Sequence, residues 1–279
     1  MNLVNSETGL LGIIGYPVKH SFSPMLHTSL AQKYGLNFVY LAFEILPENF
    51  KYFKEVVLTL NIEGLNITIP YKEKVISYLH KVDKLAKHIG AVNTVVNKGG
   101  ELIGYNTDIY GFTHSLSEVT LKGEDVLVIG CGGVSRAIVC GLQELGVKKV
   151  YVYDIDKNKM LLIKKQFEDF IVLLKEEQID TTIPDVKMLV NATPLGMKEN
   201  DLSPLRLDLI TKEHIVYDVV YNRETELVKH AKQIGCKHVF DGVPMFVYQA
   251  VESFFLWTGV KADEKFMFDL VRKFLNRNH

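Results

Sequence analysis

Cysteine is scarce in this chain: Cys131, Cys140 and Cys236 are the only three in 279 residues. An odd number at scattered positions builds no disulfide framework and no CxxC metal pair, so each is read as a small, buried or half-buried side chain. The nine histidines include no HExxH and no HxxxH. The common zinc patterns are therefore missing, and no metal is expected. An excess of one charge is missing too. Lys plus Arg number 32 against 33 Asp plus Glu, a net charge of −1. With no basic run, neither nucleic acid nor anionic lipid is an expected partner. No apolar run approaches the roughly 20 residues of a membrane span. The opening MNLVNSETGLLGIIG has no basic region before its short apolar run, and it reads as a first strand rather than a leader. A soluble, cytoplasmic protein is expected.

What is present is an alternation of short apolar runs with helical patterns, the mark of an α/β protein. At 279 residues and 47% hydrophobic, the chain is long enough for two domains. LLGIIG (10–15), FVYLAFEI (38–45) and GLNITI (64–69) read as strands. SPMLHTSLAQKYG (23–35) and PENFKYFKEVVLTL (47–60) read as helices, with Pro24 and Pro47 where helix starts tolerate proline and Gly35 as a stop. AVNTVVN and ELIGYN, separated by Lys98-Gly99-Gly100, carry a hairpin signal.

After Asp108 the pattern changes. DVLVIG (125–130) is a continuous apolar strand of the kind buried on both faces. Further strands are expected at 149–154, 186–191, 214–220 and 237–242, with helices at 156–169 and 223–235 between them. Helices between strands wind a parallel sheet. Two apolar-faced helices end the chain. The expected organisation is a substrate-binding and catalytic domain over 1–110, a Rossmann NAD(P)-binding domain over 111–240, and C-terminal helices over 241–279 that return to the first domain.

Residues 130–137 read GCGGVSRA, directly after a strand and opening a helix. Gly130 permits the tight turn, and Gly132 lets the backbone approach a pyrophosphate at the helix N-terminus. Ser135 stands where the third glycine of GxGxxG is usual, and it is small enough for close packing. Asp154 follows the next strand, 24 residues beyond Gly130. It is placed either to bond a ribose 2′-OH, which favours NAD, or to cap the next helix. Lys157, Lys159 and Arg136 are near enough in sequence to serve a 2′-phosphate in part.

Polar residues recur at strand ends: HSFSP (20–24), NITIPYK (66–72), GAVNT (90–94) and GYNTD (104–108). Singly, such residues are ordinary turn formers. In this order, before a GxGG loop, and continued by NATPLGM (191–197), YDVVYN (217–222) and DGVPMFVYQAVESFFLWTG (241–259), they resemble the shikimate dehydrogenase family over nearly the whole chain.

The resemblance implies a two-domain α/β enzyme that reversibly reduces 3-dehydroshikimate to shikimate with NADP or NAD, in aromatic amino-acid and chorismate biosynthesis. It implies a catalytic pair of Lys72 and Asp108. Substrate contacts carried over by motif are Ser21, Ser23, Asn66, Thr68, Asn93, Tyr221 and Gln249. The cofactor loop corresponds to Gly130, Cys131, Gly132, Gly133 and Val134, with Asn191, Thr193, Val219, Gly242 and Met245 on the cofactor side. The partner is a small molecule, and the chain is a monomer or homodimer. Ser23-Pro24 reads as an N-cap followed by the first helical residue, so the helix's positive end lies beside hydroxyls suited to a carboxylate. Serine at both positions of SFS resembles shikimate-preferring members; quinate-using relatives tend to have threonine at the second.

Three departures stand out. NADP-using members usually carry Asn-Arg-Thr where this chain has Asp154, Ile155 and Asp156, which leans toward NAD. Arg223 stands where proline is common, and Pro244 where glycine is common. The alternatives are an NAD-dependent quinate/shikimate dehydrogenase and a non-catalytic ligand-sensing regulator. A regulator of that kind lacks the Lys72 and Asp108 chemistry or carries an added DNA-binding segment, and neither feature is seen here.

Overall fold

In a computed structural model, which describes residues 4–275, the chain divides into two compact units. One comprises the chain up to Thr107 together with Gln249–Phe274, and the other is Asp108–Tyr248 with Leu275. The sequence placed these changes at 110 and 241. The second change instead falls inside a continuous helix, where no turn residue marks it.

The first unit contains β1 (Gly9–Gly15), α1 (Ser23–Tyr34), β2 (Phe38–Glu44), α2 (Phe53–Thr59), β3 (Gly64–Ile67), β4 (Lys81–Val82), α3 (Lys84–Ile89), β5 (Thr94–Lys98) and β6 (Glu101–Tyr105). Its sheet runs β2-β1-β3-β5-β6-β4. β1 is parallel to β2 and β3, while β5 is antiparallel to β3 and β6. Gly99 and Gly100, with φ of 59° and 94°, make the two-residue turn between β5 and β6. Alternation along the strands sorts the two faces. Ile14, Leu65, Ile67 and Val95 join Phe50, Phe53 and Tyr71 in one core, while Leu11, Ile13 and Tyr40 pack on the other side with Trp257. α1 stops at Gly35, whose φ of 64° is a left-handed C-cap.

The second unit contains α4 (Asp108–Ser115), β7 (Asp125–Ile129), α5 (Gly133–Glu144), β8 (Lys149–Tyr153), α6 (Lys157–Phe167), β9 (Ile171–Leu173), α7 (Ile179–Thr182), β10 (Met188–Asn191), β11 (Ile215–Asp218), α8 (Glu226–Gln233) and β12 (His238–Phe240). Its six strands are all parallel, in the order β12-β11-β10-β7-β8-β9. That is the doubly wound Rossmann order, with its switch point between β7 and β10. Val126, Leu127, Val128, Val150, Val152, Leu189, Val190 and Val216 are all buried, as strands covered on both faces require.

α9 (Gly242–Thr258) begins in the second unit and ends in the first, and α10 (Glu264–Leu275) follows it. Pro244 lies in the first turn of α9, where its missing N–H has no intrahelical acceptor to lose. Nothing in the structure explains Arg223. Among the described residues, no helix is long and apolar enough to cross a membrane, and no cluster of His, Cys, Asp and Glu is arranged for a metal.

Candidate functional site

In the first unit the sheet register sets out one row of positions, Ile13, Asn66, Thr94 and Tyr105. Leu65 and Ile67 face the apolar core, so the pleat turns Asn66 to the opposite face, where Tyr40 and α9 lie. Asn66 is 6% exposed and needs internal partners. Its Oδ1 accepts the Tyr40 hydroxyl at 2.6 Å. Its Nδ2 lies 3.2 Å from the Asn93 carbonyl, 3.1 Å from Thr94 Oγ1 and 3.1 Å from Ser253 Oγ. Asn93 Oδ1 accepts the Thr107 N–H at 2.7 Å, and its Nδ2 donates to Thr107 Oγ1 at 3.0 Å. Gln249 enters the same cluster through its carbonyl, which accepts from Ser253 at 2.9 Å.

Thr68 follows β3 and donates its N–H to the Ile14 carbonyl at 2.9 Å. Gly15 leaves the space that the Thr68 methyl fills. Lys72 is half-buried and sits beyond the cis Ile69–Pro70 peptide. Its position is held from both sides. Tyr71 before it is 1% exposed, stacks on Phe50 at 4.1 Å and donates to the Ile45 carbonyl, while the Lys72 carbonyl accepts the Val92 N–H at 2.8 Å. Thr107, pinned by Asn93, directly precedes Asp108, the buried first residue of α4.

Ser21 and Ser23 stand at the start of α1, but not as the motif suggested. Ser23 is the first helical residue, Pro24 the second, and Phe22 is the N-cap, with no side-chain cap. Ser21 Oγ instead accepts the Ser23 N–H at 3.3 Å. Ser23 is buried.

The second unit places the glycine loop at its switch point. Gly130 has φ of 103°, and a Cβ there would come 2.9 Å from the Ala192 backbone and 3.0 Å from the Thr193 methyl. Only glycine suits that turn. Ser135, in the third-glycine position, donates to the Gly130 carbonyl at 2.6 Å and closes the loop. Gly132, in extended backbone at φ −75°, has no described residue within 4 Å of a Cβ position, which leaves its face open. Gly133 and Val134 begin α5, at the end of the helix that favours an anion. An open backbone at a helix N-terminus fits a dinucleotide pyrophosphate. Cys131 is buried, and burial pushes its thiol up to about 12, so it stays protonated.

Asp154 is half-buried at the end of β8. Its Oδ2 accepts the Cys131 N–H at 2.7 Å, and its Oδ1 accepts the Asp156 N–H at 2.8 Å. It does not cap α6; Asp156 does, accepting from Asn158 and Lys159.

Asn191 is fully buried, and its amide is spent internally. Nδ2 donates to the Leu195 carbonyl and to Asp218 Oδ1, both at 2.9 Å, and Oδ1 accepts the Thr193 N–H at 3.0 Å and hydroxyl at 2.7 Å. It shapes the Thr193 turn. Val219 donates its N–H to the Asn191 carbonyl at 3.0 Å, and a Cβ on Gly242 would collide with the Val219 carbonyl, so α9 starts hard against that strand end. Met245 is buried one turn on. Tyr221 stacks on Phe246 at 4.9 Å within this same unit.

Four residues of the polar cluster escaped motif reading. Thr94 and Thr107 lie inside quoted motifs but looked like turn formers, Tyr40 looked like an ordinary strand residue, and Ser253 carried only its spacing of one helical turn from Gln249. Asp218 was missed as well. Buried at the end of β11, it accepts from Asn191, from the Val220 N–H at 3.0 Å and from the Thr225 hydroxyl at 2.7 Å. Burial nevertheless pushes its carboxyl up to about 6, against these three donors.

Residues 13–95 match the shikimate dehydrogenase substrate binding domain, and residues 242–272 match the shikimate 5′-dehydrogenase C-terminal domain. A shikimate dehydrogenase (NADP(+)) of Aquifex aeolicus is 43% identical over 259 residues, 92% of this chain and 94% of its own. The crystal structure of shikimate 5-dehydrogenase from Listeria monocytogenes, in complex with shikimate and NAD, is 30% identical with a TM-score of 0.89, covering 97% of this chain and 99% of its own. Quinate dehydrogenase from Corynebacterium glutamicum, in complex with NAD, is 33% identical with a TM-score of 0.90, covering 95% of this chain and 99% of its own. By the motifs, the two folds and these matches, the chain belongs to the shikimate dehydrogenase family.

Proposed function

We propose that the chain is a shikimate dehydrogenase, catalysing the reversible reduction of 3-dehydroshikimate to shikimate with a nicotinamide dinucleotide, in the cytoplasm, on the route to chorismate and the aromatic amino acids. The observation that carries the proposal is the buried row of amides and hydroxyls on the first unit's sheet, within a chain of this family. Such a row suits a small ring bearing several hydroxyls, because a site built of hydrogen-bonding groups rejects analogues that lack them.

The bound nicotinamide supplies the hydride on reduction and accepts it on oxidation. Lys72, as an ammonium, donates the proton that the developing alkoxide needs; in the reverse direction its neutral amine takes that proton. Asp108 is the carboxylate partner of this proton transfer. Ser21 and Ser23, at the positive end of α1, receive the substrate carboxylate, with the Tyr221 phenol as a further donor. Asn66, Thr68, Asn93 and Gln249 read the ring hydroxyls.

The Gly130–Val134 loop holds the pyrophosphate, and Thr193, Val219, Gly242 and Met245 line the cofactor side, with Asn191 supporting Thr193 from behind. Asp154 favours the 2′-OH of NAD over a 2′-phosphate. The chain works as a monomer or homodimer. The quinate and regulator alternatives are not favoured: curated relatives at 34–43% identity are shikimate dehydrogenases. Initial rates with shikimate and quinate, each with NAD and NADP, test the proposal. Turnover of shikimate is expected with at least one cofactor, and quinate turnover exceeding it would overturn the substrate assignment.

A further inference from the structure

An amide offers donors on one side and an acceptor on the other, so its orientation decides what a ligand hydroxyl must do to be bound. Two main-chain groups settle the orientations of Asn66 and Asn93. The Asn93 carbonyl can only accept, and it lies 3.2 Å from Asn66 Nδ2. The Thr107 amide can only donate, and it lies 2.7 Å from Asn93 Oδ1. The hydroxyls then follow. Ser253 Oγ donates its single proton to the Gln249 carbonyl, 2.9 Å away. With that proton committed, Ser253 Oγ can serve its other neighbours only as an acceptor, and its two lone pairs are shared among Thr94 Oγ1 at 2.9 Å, Thr107 Oγ1 at 3.0 Å and Asn66 Nδ2 at 3.1 Å. Ser253 is 0% exposed, so solvent does not compete for this role.

We propose that Ser253 is a positioning residue for substrate recognition, an acceptor hub that holds the Asn66 NH2 inward. Asn66 then offers a ligand only the second lone pair of Oδ1 beside the Tyr40 bond, and it selects a ring hydroxyl that donates. Ser253 touches no substrate in this scheme. The inference rests on the shikimate assignment and adds to it a rule of hydrogen-bond direction. Replacing Ser253 by alanine removes an acceptor shared among these three neighbours. The Asn66 NH2 then keeps the Asn93 carbonyl and Thr94 Oγ1 but loses its third acceptor, so the amide is held less firmly and its Oδ1 is aimed less well at the hydroxyl that donates to it.

The test compares wild type, Ser253→Ala and Tyr40→Phe on shikimate and on two deoxy analogues, each lacking one of the ring hydroxyls that are not oxidised. Cofactor affinity, measured by nicotinamide fluorescence, reports whether each variant is folded. Ser253→Ala is expected to lose about 10-fold in kcat/KM on shikimate, mainly through KM, with cofactor affinity within about 2-fold of wild type. On one analogue, the one lacking the hydroxyl read by Asn66, variant and wild type are expected to agree within about 2-fold. Tyr40→Phe keeps the ring in the core and removes the other anchor of the same amide. It is expected to show the same analogue-specific pattern with a smaller loss, and it decides the matter if Ser253→Ala does not fold. Equal losses on shikimate and both analogues, or no loss at all, overturn the inference. A wild type that turns over no shikimate refutes the parent assignment instead.

Discussion

The Asp154 carboxylate accepts the main-chain N–H of Cys131 at 2.7 Å, which ties the acid after β8 to the glycine loop after β7. A second bond from the Asp156 N–H at 2.8 Å fixes its other oxygen. The negative charge is therefore held rigidly beside the loop, and a cofactor carrying a 2′-phosphate has to approach it. Asp154→Asn removes the charge while keeping one acceptor. The ratio of kcat/KM for NADP to that for NAD is expected to rise about 10-fold or more, as opposite ribose preferences at this position require. Initial rates with both cofactors check this, and an unchanged ratio would remove Asp154 as the selector.

Gly130 and Gly132 separate the two uses of glycine in that loop. Gly130→Ala forces a side chain into left-handed backbone and against Ala192 and Thr193, at a cost of about 1–3 kcal/mol in stability. Gly132→Ala meets no described residue within 4 Å and has an ordinary φ of −75°. It is expected to melt within about 1 °C of wild type yet to lose 10-fold or more in cofactor affinity, because its methyl occupies the phosphate approach. Thermal melts paired with cofactor titrations distinguish the two, and a Gly132→Ala protein with full affinity would contradict the assigned approach.

Lys72→Ala is expected to lower kcat by roughly 10²–10⁴-fold with a smaller change in KM, the signature of a lost general acid–base. Tyr71 anchors the preceding residue in the core, so the variant should fold. Steady-state kinetics at saturating cofactor are the measurement. Near-normal turnover would exclude Lys72 as the proton donor.

Two buried groups give stability a pH dependence of opposite sign. Asp218 is raised from 3.8 to about 6, chiefly by burial. Its ionisation opposes folding above that value, and the penalty, of order 3 kcal/mol by the unit-shift conversion, is relieved as pH falls from about 6 to 4. Asp218→Asn does not titrate, so its stability relative to wild type should improve between pH 4.5 and 7. His27 is the reverse case. Among the described residues it has no hydrogen-bond partner at either ring nitrogen; it stacks on Tyr40 at 4.6 Å and is lowered from 6.5 to about 3 by burial. The unfolded chain takes up its proton below pH 6.5, so stability is lost as pH falls from there toward 3. His27→Phe should flatten that loss. Urea titrations of the three proteins across pH 4 to 7.5 read both slopes, and parallel curves would rule out these two residues as their source.

Much of this protein could be read along the chain, because the signals are local. Apolar period and punctuation marked β1, α1, β7, α5 and α9, and the strand–GCGG–helix context marked the cofactor loop. Strands β4 and β9, of two and three residues, are too short to show any period, and their pairing with β6 and β8 defines them. The α1 cap was misplaced by one residue because the helix already begins at Ser23, with Phe22 as its N-cap. The sequence by itself determined the order of the longer elements, the glycine loop and the family motifs, each set by residues within a few positions of one another. Only the tertiary structure decided that Asn66 meets Ser253, 187 residues away, and that Asn191 answers to Asp218. Buried amides and carboxylates take their partners from whichever strands and helices pack beside them, and that adjacency is a property of the sheet rather than of the chain.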